Sequence, residues 1–431
     1  MRILKVTQSY FPFLDRGGPA IKVRSIARAL VGLGHQVTVL TADLGFKLAT
    51  AALAGAVRDG HGWRSELDGV EAIYIKTQCH YRTQTVNVGA MGFCQCRLHD
   101  FDIVHIYGLY DFLGPVVASY CRQYGKPYVV EPLGMTLPID RGFLLKKLWR
   151  RLSNGYLNQA SRMIATSELE KGELLAEGFL PSCVQVRYNG IDLEEFRRLP
   201  PPGAFRKRVG LGDDEPIVLF LGRIIPRKGV DLLIEALPQI RDLRARLIVA
   251  GPEPEAGYLN FLHSKARALG VAERVLFTGP FYGEDKKAAL ADASVFALPS
   301  RYENFGNAAA EAVACGTPVI VSDRCGIAPL ISQRAGLVTA YDSTTLAQSL
   351  RNLLDDASLY QQLKGGCRQV ADEISWDRLV RGMLHFYEEV TGNSHPHPRR
   401  PLDVWSEQTN RAGTPLENPQ LNDSTTPVSL T

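Results

Sequence analysis

Alternating strand and helix patterns run through both halves of the sequence and constrain its fold more than any other feature. In the first half, apolar strand patterns at 2–7 and 36–41 flank a helical pattern over 21–33. Further strand patterns lie at 70–76, 102–107, 127–131, 162–166 and 183–187. Such alternation is typical of a parallel sheet with helices on both faces.

The second half repeats the alternation after an interruption. A proline-rich stretch at 199–203 indicates a stiff connector between the halves. Strand patterns then follow at 216–222, 245–250, 274–278, 294–298 and 318–321, and a short strand is predicted over 335–341. We therefore predict an α/β fold with two Rossmann-like parallel-sheet domains, the first over 1–188 and the second over 216–375, joined by a linker over 189–215.

The C-terminal part of the sequence changes in composition. A last helical pattern covers 376–391, and residues 392–431 are rich in Pro, Asn, Ser and Thr with few large apolar side chains. Such a segment buries too little apolar surface to offset its loss of conformational entropy on folding. We predict a disordered tail over 392–431.

Composition and charge exclude several classes of protein. A chain of 431 residues can form two domains with a core each, and its net charge of +4 is too small to indicate a nucleic-acid partner. No apolar run reaches the roughly 18 residues of a membrane span. The first residues lack the apolar core of a signal peptide, and eight scattered cysteines do not form a disulfide framework. A cytoplasmic protein is expected.

The loop after the strand pattern at 294–298 carries a cluster of candidate ligand-binding residues. Glu303, Asn304, Phe305, Gly306 and Asn307 precede an alanine-rich helical run that contains Glu311. A helix N-terminus at the end of a strand favours anions, whereas the two glutamates suit hydroxyl groups. The pattern predicts a polyhydroxylated ligand that carries phosphates. The alternative is an ordinary capped helix with both glutamates solvated.

A second candidate site follows the strand pattern at 216–222. Gly222 and Arg223 end this strand, and Lys228 and Gly229 begin the next helix, with Arg227 as an additional cation. Two cations beside a helix N-terminus can bind a diphosphate and stabilise the charge that develops when it leaves. A basic surface loop is the alternative.

Both motifs match one known family. E-N-F-G-N-A-A-A-E-A over 303–312, followed by C-G-T-P-V-I, resembles the signature of retaining, nucleotide-sugar-dependent glycosyltransferases of the GT-B fold, family 4, and G-R-x4-K-G at 222–229 also matches. The resemblance covers roughly residues 1–391 and implies two domains facing a cleft, with the last helix crossing back onto the first.

The resemblance also implies roles for individual residues. Arg223 and Lys228 would bind the donor diphosphate, and Glu303 with residues 304–307 would bind the donor sugar. Glu311 would bind the ribose. Catalytic roles are expected for Glu303, Arg223 and Lys228, and Phe281 lies where relatives hold the base.

The first domain contains weaker candidates. Gly17 and Gly18 follow the first strand, where the family has a Gly-Gly pair that faces the cleft. His105 matches a family position at the cleft edge. Many relatives carry a histidine near 131–133, whereas this chain has Glu131 and Leu133, so Glu131 is a candidate replacement on the acceptor side.

No metal or other cofactor is expected, and the nucleotide diphosphate sugar is a co-substrate. The D-x-D at 100–102 directly precedes a strand pattern, which makes Asp102 a strand-start residue. Cys94, Cys96 and His99 have loosely metal-like spacing but lack a second ligand pair.

A basic amphipathic pattern lies at 141–152. One face carries leucines and Trp149, and the other carries four cations, Lys146, Lys147, Arg150 and Arg151. This composition is typical of membrane-surface helices, and the alternative is a core-packed helix with a solvated face. We expect contact with the inner face of the cytoplasmic membrane if the apolar face is free.

The motifs together with the family resemblance imply a metal-independent, retaining hexosyltransferase that moves a sugar from a nucleotide diphosphate sugar to a glycan or lipid-linked acceptor. Polysaccharide or lipid-linked glycan biosynthesis is the expected context. Two alternatives remain open: a sugar-nucleotide epimerase of the same fold, and a non-catalytic nucleotide-sugar binding protein.

Overall fold

The computed structural model describes residues 1–13, 18–43, 55–58, 60–81, 84–135, 155–212, 215–253 and 257–392. Gly17, the segment 141–152 and the tail after residue 392 lie outside the described residues. What the sequence predicts for them stays a prediction. Among the described residues, no helix has both the length and the apolarity needed to cross a bilayer.

The first half of the chain forms a nine-stranded sheet. Its strands and one separate hairpin are β1 Arg2–Val6, β2 Gln36–Ala42, β3 Val57–Arg58, β4 Gly62–Leu67, β5 Val70–Ile75, β6 Cys79–Tyr81, β7 Gln84–Val86, β8 Ile103–Tyr107, β9 Tyr128–Glu131, β10 Arg162–Ala165 and β11 Val184–Val186. The order is β11-β10-β9-β8-β1-β2-β5-β4-β3. The part from β11 to β5 is parallel, and β4 and β3 extend it in antiparallel pairing.

The second half forms a six-stranded sheet that is parallel throughout. It contains β12 Ile217–Leu221, β13 Arg246–Ala250, β14 Val275–Gly279, β15 Val295–Leu298, β16 Val319–Ser322 and β17 Gly336–Thr339. The order is β14-β13-β12-β15-β16-β17. Its central strands are nearly continuous apolar runs because helices cover both faces of the sheet.

Helices alternate with these strands. They are α1 Gly18–Gly32, α2 Gly89–Arg97, α3 Leu113–Gln123, α4 Glu168–Ala176, α5 Ala204–Val209, α6 Val230–Ala236, α7 Tyr258–Ala268, α8 Gly283–Asp292, α9 Asn307–Ala314, α10 Ala328–Ile331, α11 Ser343–Asp355, α12 Ala357–Glu373 and α13 Trp376–Gly392. Local chemistry sets several boundaries. For example, α11 begins after Asp342, whose carboxylate accepts hydrogen bonds from the amides of Thr344 and Thr345.

The final helix packs on the core of the first domain. Trp376, Met383 and Tyr387 are buried in the same hydrophobic cluster as Ile3 and Val23. A backbone hydrogen bond holds the first residue of this helix in place, because the Trp376 amide donates to the Ile191 carbonyl at 3.1 Å. The chain from Met1 to Ser394 is therefore one compact unit that contains both sheets.

The predicted α/β fold with two parallel-sheet domains is confirmed, and each strand pattern lies on an observed strand. The structure adds β3, β4 and the β6–β7 hairpin between residues 57 and 86. β3, β6 and β7 have only two or three residues and carry too little periodicity to be recognised in a sequence, whereas the six residues of β4, GWRSEL, contain few apolar side chains. The predicted linker over 189–215 also contains a helix, α5.

Two adjacent glycines in α12 provide a stability test of the packing between α12 and the loop at residue 334. A Cβ at Gly366 would lie 1.8 Å from the Arg334 carbonyl oxygen, whereas a Cβ at Gly365 would have no neighbour within 4 Å. We expect Gly366→Ala to lower the free energy of unfolding by about 1–3 kcal/mol. Gly365→Ala should raise it by about 0.5–1 kcal/mol, because alanine favours a helix interior. Urea denaturation measures both, and equal effects would contradict the contact.

Candidate functional site

Two loops that follow neighbouring strands lie side by side at one edge of the second sheet. β12 and β15 are parallel and adjacent, so their carboxyl ends meet at this edge. Gly229 has a φ of +72°, and a Cβ there would lie 2.0 Å from the Pro299 carbonyl oxygen. The Arg301 amide also donates to the Arg227 carbonyl at 2.7 Å. Only glycine at position 229 permits this close approach.

An ion pair joins the two loops. The Lys228 ammonium donates to the Glu303 carboxylate, and the two side chains are 15% and 19% exposed. The backbone of Glu303 is also held on both sides, since its amide donates to the Arg324 carbonyl and its carbonyl accepts from Gly326. Glu303 therefore has a fixed position and direction, and its carboxylate remains accessible to a ligand.

The helix α9 begins at Asn307, shortly after Glu303, and its N-terminal residue lines the same cavity. Gly306, with a φ of +107°, precedes it, and a Cβ there would lie 2.8 Å from the Cys325 sulfur. Small residues let the helix pack closely, because Ala309, Ala310 and Ala312 are buried against the core. The helix dipole thus adds positive potential beside Glu303.

A cavity of about 440 Å³ lies between these loops and the first domain. Its lining includes the predicted residues Gly18, Arg223, Glu303, Asn304, Phe305, Gly306 and Asn307. Arg227, noted above as an additional cation, also lines the cavity. The remaining lining includes residues that sequence reasoning did not select, namely Lys22, Thr166, Asn189, Tyr302 and the loop 133–135. Three cationic side chains and one carboxylate line the cavity, a balance that suits a diphosphate ligand.

Comparison with known proteins identifies the family. Residues 203–369 match the family model described as glycosyl transferases group 1, and residues 16–195 match the model described as Glycosyltransferase Family 4. A D-inositol 3-phosphate glycosyltransferase of Streptomyces bingchenggensis is 35% identical over 401 residues, covering 87% of this chain and 85% of that protein. The chain is a group 1 glycosyltransferase of family 4.

Other relatives and solved structures agree with this assignment. An uncharacterized glycosyltransferase of Methanocaldococcus jannaschii is 27% identical over 409 residues, covering 90% of this chain and 98% of that protein. Anabaena HepE in complex with UDP superposes with a TM-score of 0.72 at 21% identity, covering 90% of this chain and 100% of that chain. Sucrose-phosphate synthase from Thermosynechococcus elongatus gives a TM-score of 0.71 at 21% identity, covering 91% and 99%. These two structures show the shared fold. No finding supports the epimerase alternative.

In the glycosyltransferase, Glu311 lies one turn inside α9 and has a partner that the sequence did not indicate. Lys286 on α8 donates to its carboxylate at 2.9 Å. Burial raises the pKa of Glu311, and the Lys286 ammonium opposes this shift. The ion pair fixes one carboxylate oxygen and the direction of the side chain. The predicted ribose contact stays a prediction.

Phe281 lies apart from the cavity lining. Its ring packs edge-on against Phe205 at 5.4 Å between centroids, and the Arg208 guanidinium lies 5.8 Å from its centroid. The neighbouring Tyr282 is 74% exposed. The predicted base contact of Phe281 stays a prediction, and Tyr282 is the more accessible aromatic ring at this strand end.

His105 and Glu131 lie inside the first domain and are not part of the cavity lining. Both are fully buried on adjacent strands, His105 in the middle of β8 and Glu131 at the end of β9. The Glu131 carboxylate accepts hydrogen bonds from Lys22 and Arg187, and His105 Nε2 lies 3.4 Å from it. The structure thus places the two acceptor-side candidates in an internal ion cluster, and of the described residues in this cluster Lys22 is the one that lines the cavity.

Burial and neighbouring charges together shift the pKa values of the groups in this ion cluster. Burial, with Lys5 nearby, lowers the pKa of His105 to about 3, so the imidazole is neutral at physiological pH. Burial lowers the pKa of Lys22 to about 8, although Glu131 opposes the shift. The Arg187 and Lys22 charges outweigh burial at Glu131 and hold its pKa well below its usual range. The Tyr387 hydroxyl of the final helix lies 2.5 Å from His105 Nδ1.

His105 should therefore make stability depend on pH. Its folded pKa lies below the ordinary 6.5, so the unfolded chain binds a proton first as the pH falls. We expect the free energy of unfolding to decrease by about 1 kcal/mol per pH unit between about pH 6.5 and about pH 5 through this group. His105→Asn should remove that contribution in urea denaturation, whereas His385→Asn, at an exposed position, is the control. Identical slopes in wild type and His105→Asn would contradict the assignment.

Proposed function

We propose that this glycosyltransferase transfers a hexosyl group, with retention of anomeric configuration and without a metal, from a nucleotide diphosphate sugar. The observation that carries the proposal is the Lys228–Glu303 ion pair beside a cavity with an excess of cationic side chains. Cations bind the diphosphate, and a fixed carboxylate beside them accepts hydrogen bonds from sugar hydroxyls. Glu303 lines the cavity, whereas Lys228 lies outside the lining and reaches the site through its ion pair with Glu303.

The transfer step breaks the bond between the anomeric carbon and a diphosphate oxygen and forms a bond between that carbon and an acceptor hydroxyl oxygen. Negative charge is left on the diphosphate, which can accept the proton of the acceptor hydroxyl. Arg223, Lys228 and the N-terminus of α9 stabilise that charge in the transition state. Glu303 binds the sugar, and its carboxylate stabilises the positive charge that develops at the anomeric carbon. Because Lys228 is paired with Glu303 before the ligand binds, both groups are preorganised.

The first-domain side of the cavity is proposed to bind the acceptor, a glycan or lipid-linked glycan. Lys22, Thr166 and the loop 133–135 line this side. The relatives named for D-inositol 3-phosphate supply a second acceptor class for testing. The HepE structures in complex with UDP and with UDP-glucose make uridine diphosphate sugars the first donors to test.

A donor screen followed by product analysis tests the proposal. A nucleotide sugar at 100 times its Kd stabilises the protein by about 2.7 kcal/mol, which a thermal-shift assay detects. Transfer should then be measured with acceptors, in the presence of a chelator, and the anomeric configuration of the product read by NMR. Donor binding without transfer to any acceptor would favour the non-catalytic alternative, and an inverted product would exclude retention.

Substitution of the cations tests the diphosphate assignment. We expect Lys228→Ala and Arg223→Ala each to lower kcat by about 100-fold or more, because each removes a donor aimed at developing charge. Lys364→Ala, at an exposed position on α12, is the matched control and should leave kcat unchanged. Folded Lys228 and Arg223 variants with near wild-type kcat would contradict the assignment.

The two glutamates should separate binding from turnover. We expect Glu311→Gln to weaken donor binding with little change in kcat, because a ribose contact is the same in the ground and transition states. Glu303→Gln should mainly lower kcat, since its contact with the sugar strengthens as charge develops. Calorimetric titration of the donor and steady-state kinetics measure the two effects. The opposite pattern would mean that the donor binds in the reverse orientation.

A further inference from the structure

The side chain of Asn304 leaves the second domain and contacts the first. Its amide Nδ2 donates to the Thr166 hydroxyl at 2.5 Å and lies 3.5 Å from a Glu170 carboxylate oxygen. Thr166 follows β10, and Glu170 lies in the first turn of α4, so both belong to the first domain. Asn304 is the residue directly after Glu303, and this contact therefore ties the Glu303 loop to the opposite side of the cleft.

Glu170 is the centre of the contact. It is fully buried, and its carboxylate accepts hydrogen bonds from the Gly134 amide at 2.5 Å and from the Thr166 amide and hydroxyl, each at 2.7 Å. A buried carboxylate is stable only when several donors satisfy it, and bonds to a charged acceptor are the stronger kind. One carboxylate thus holds the loop at Gly134, the end of β10 and, through Thr166, Asn304.

Two glycines, Gly134 and Gly326, allow the backbone to pass close to Asn304. A Cβ at Gly134, which has a φ of +73°, would lie 2.8 Å from the Asn304 side-chain carbon Cγ. A Cβ at Gly326 would lie 2.0 Å from the Asn304 carbonyl oxygen and 2.6 Å from Ser167 Cβ. Glycine at both positions therefore leaves space for the two domains to meet around Asn304.

A second contact lies beside the first. Tyr302 precedes Glu303, and Glu173 lies one turn after Glu170 on α4. Burial, together with the neighbouring Glu173 carboxylate, raises the pKa of the Tyr302 hydroxyl well above its usual range. Residues on both sides of Glu303 thus face α4.

We propose that Gly134, Thr166, Glu170 and Asn304 form an interdomain latch that positions Glu303 against the acceptor side of the cavity. Thr166 and Glu170 are positioning residues, since they act on Glu303 through Asn304. The inference rests on the proposed transfer reaction. The predicted donor contacts, Arg223, Lys228 and residues 303–307, all belong to the second domain, so removal of the Thr166 hydroxyl on the first domain should lower turnover and leave donor affinity unchanged.

Substitution of Thr166 tests the latch. Thr166→Val keeps the shape of the side chain but removes the hydroxyl that accepts from Asn304 and donates to Glu170. We expect kcat to fall about tenfold, equivalent to about 1.4 kcal/mol, with donor Kd unchanged. Thr166→Ser retains the hydroxyl and should restore most of the lost kcat. Arg64→Met is the control, because it breaks an ion pair with Glu71 at 3.1 Å within the first domain, and the Arg64 side chain is exposed.

Two further measurements exclude a general structural effect. In a double-mutant cycle, Thr166→Val and Asn304→Ala should be non-additive in kcat, because each removes the same contact. Amide hydrogen exchange of the full chain without substrate should show loss of protection at Gly134 and Thr166 in Glu170→Gln, which weakens the acceptor of both amides. This readout tests the latch even if no donor–acceptor pair turns over. Wild-type kcat in Thr166→Val, additive effects, or unchanged protection in Glu170→Gln would each overturn the proposal.

Discussion

The parallel pairing of β12 with β15 is the constraint on which the candidate site depends. These strands are adjacent in space although 73 residues, 222–294, lie between them in the sequence. The loops after Leu221 and Leu298 therefore meet at one edge of the sheet. The glycine at 229 allows the loops to touch, and the Lys228–Glu303 ion pair then joins their side chains. Loss of either contact would separate the groups proposed to bind the diphosphate and the sugar.

The first domain uses buried charge at the equivalent edge. Glu131 lies at the end of β9 and neutralises Lys22 and Arg187, while His105 stays uncharged beside it. Such a cluster contributes little net stability, because desolvation of the ions offsets their attraction, yet removal of one partner is costly. Its structural effect is to hold Lys22 in a fixed direction at the cavity and to connect the cavity with Tyr387.

The final helix makes the two domains depend on each other. It follows the second sheet in sequence but buries Trp376, Val380 and Tyr387 in the core of the first. A hydrogen bond between Asn304 and Thr166, which both line the cavity, joins the same two domains a second time. Two separate connections restrict the relative motion of the domains more than either alone, because a single connection leaves rotation about itself free.

The sequence alone determined the positions of the parallel strands in both sheets and the residues of both second-domain motifs, since apolar periodicity and glycine placement are local properties. Only the tertiary structure decided the direction of each side chain. Local patterns placed His105 and Glu131 on strands but could not show that both side chains face the interior. Lys22, Lys286 and Thr166 escaped detection because their partners lie 109, 25 and 138 residues away in the sequence. Such pairs form only when sheets and domains pack, and no local pattern encodes that packing.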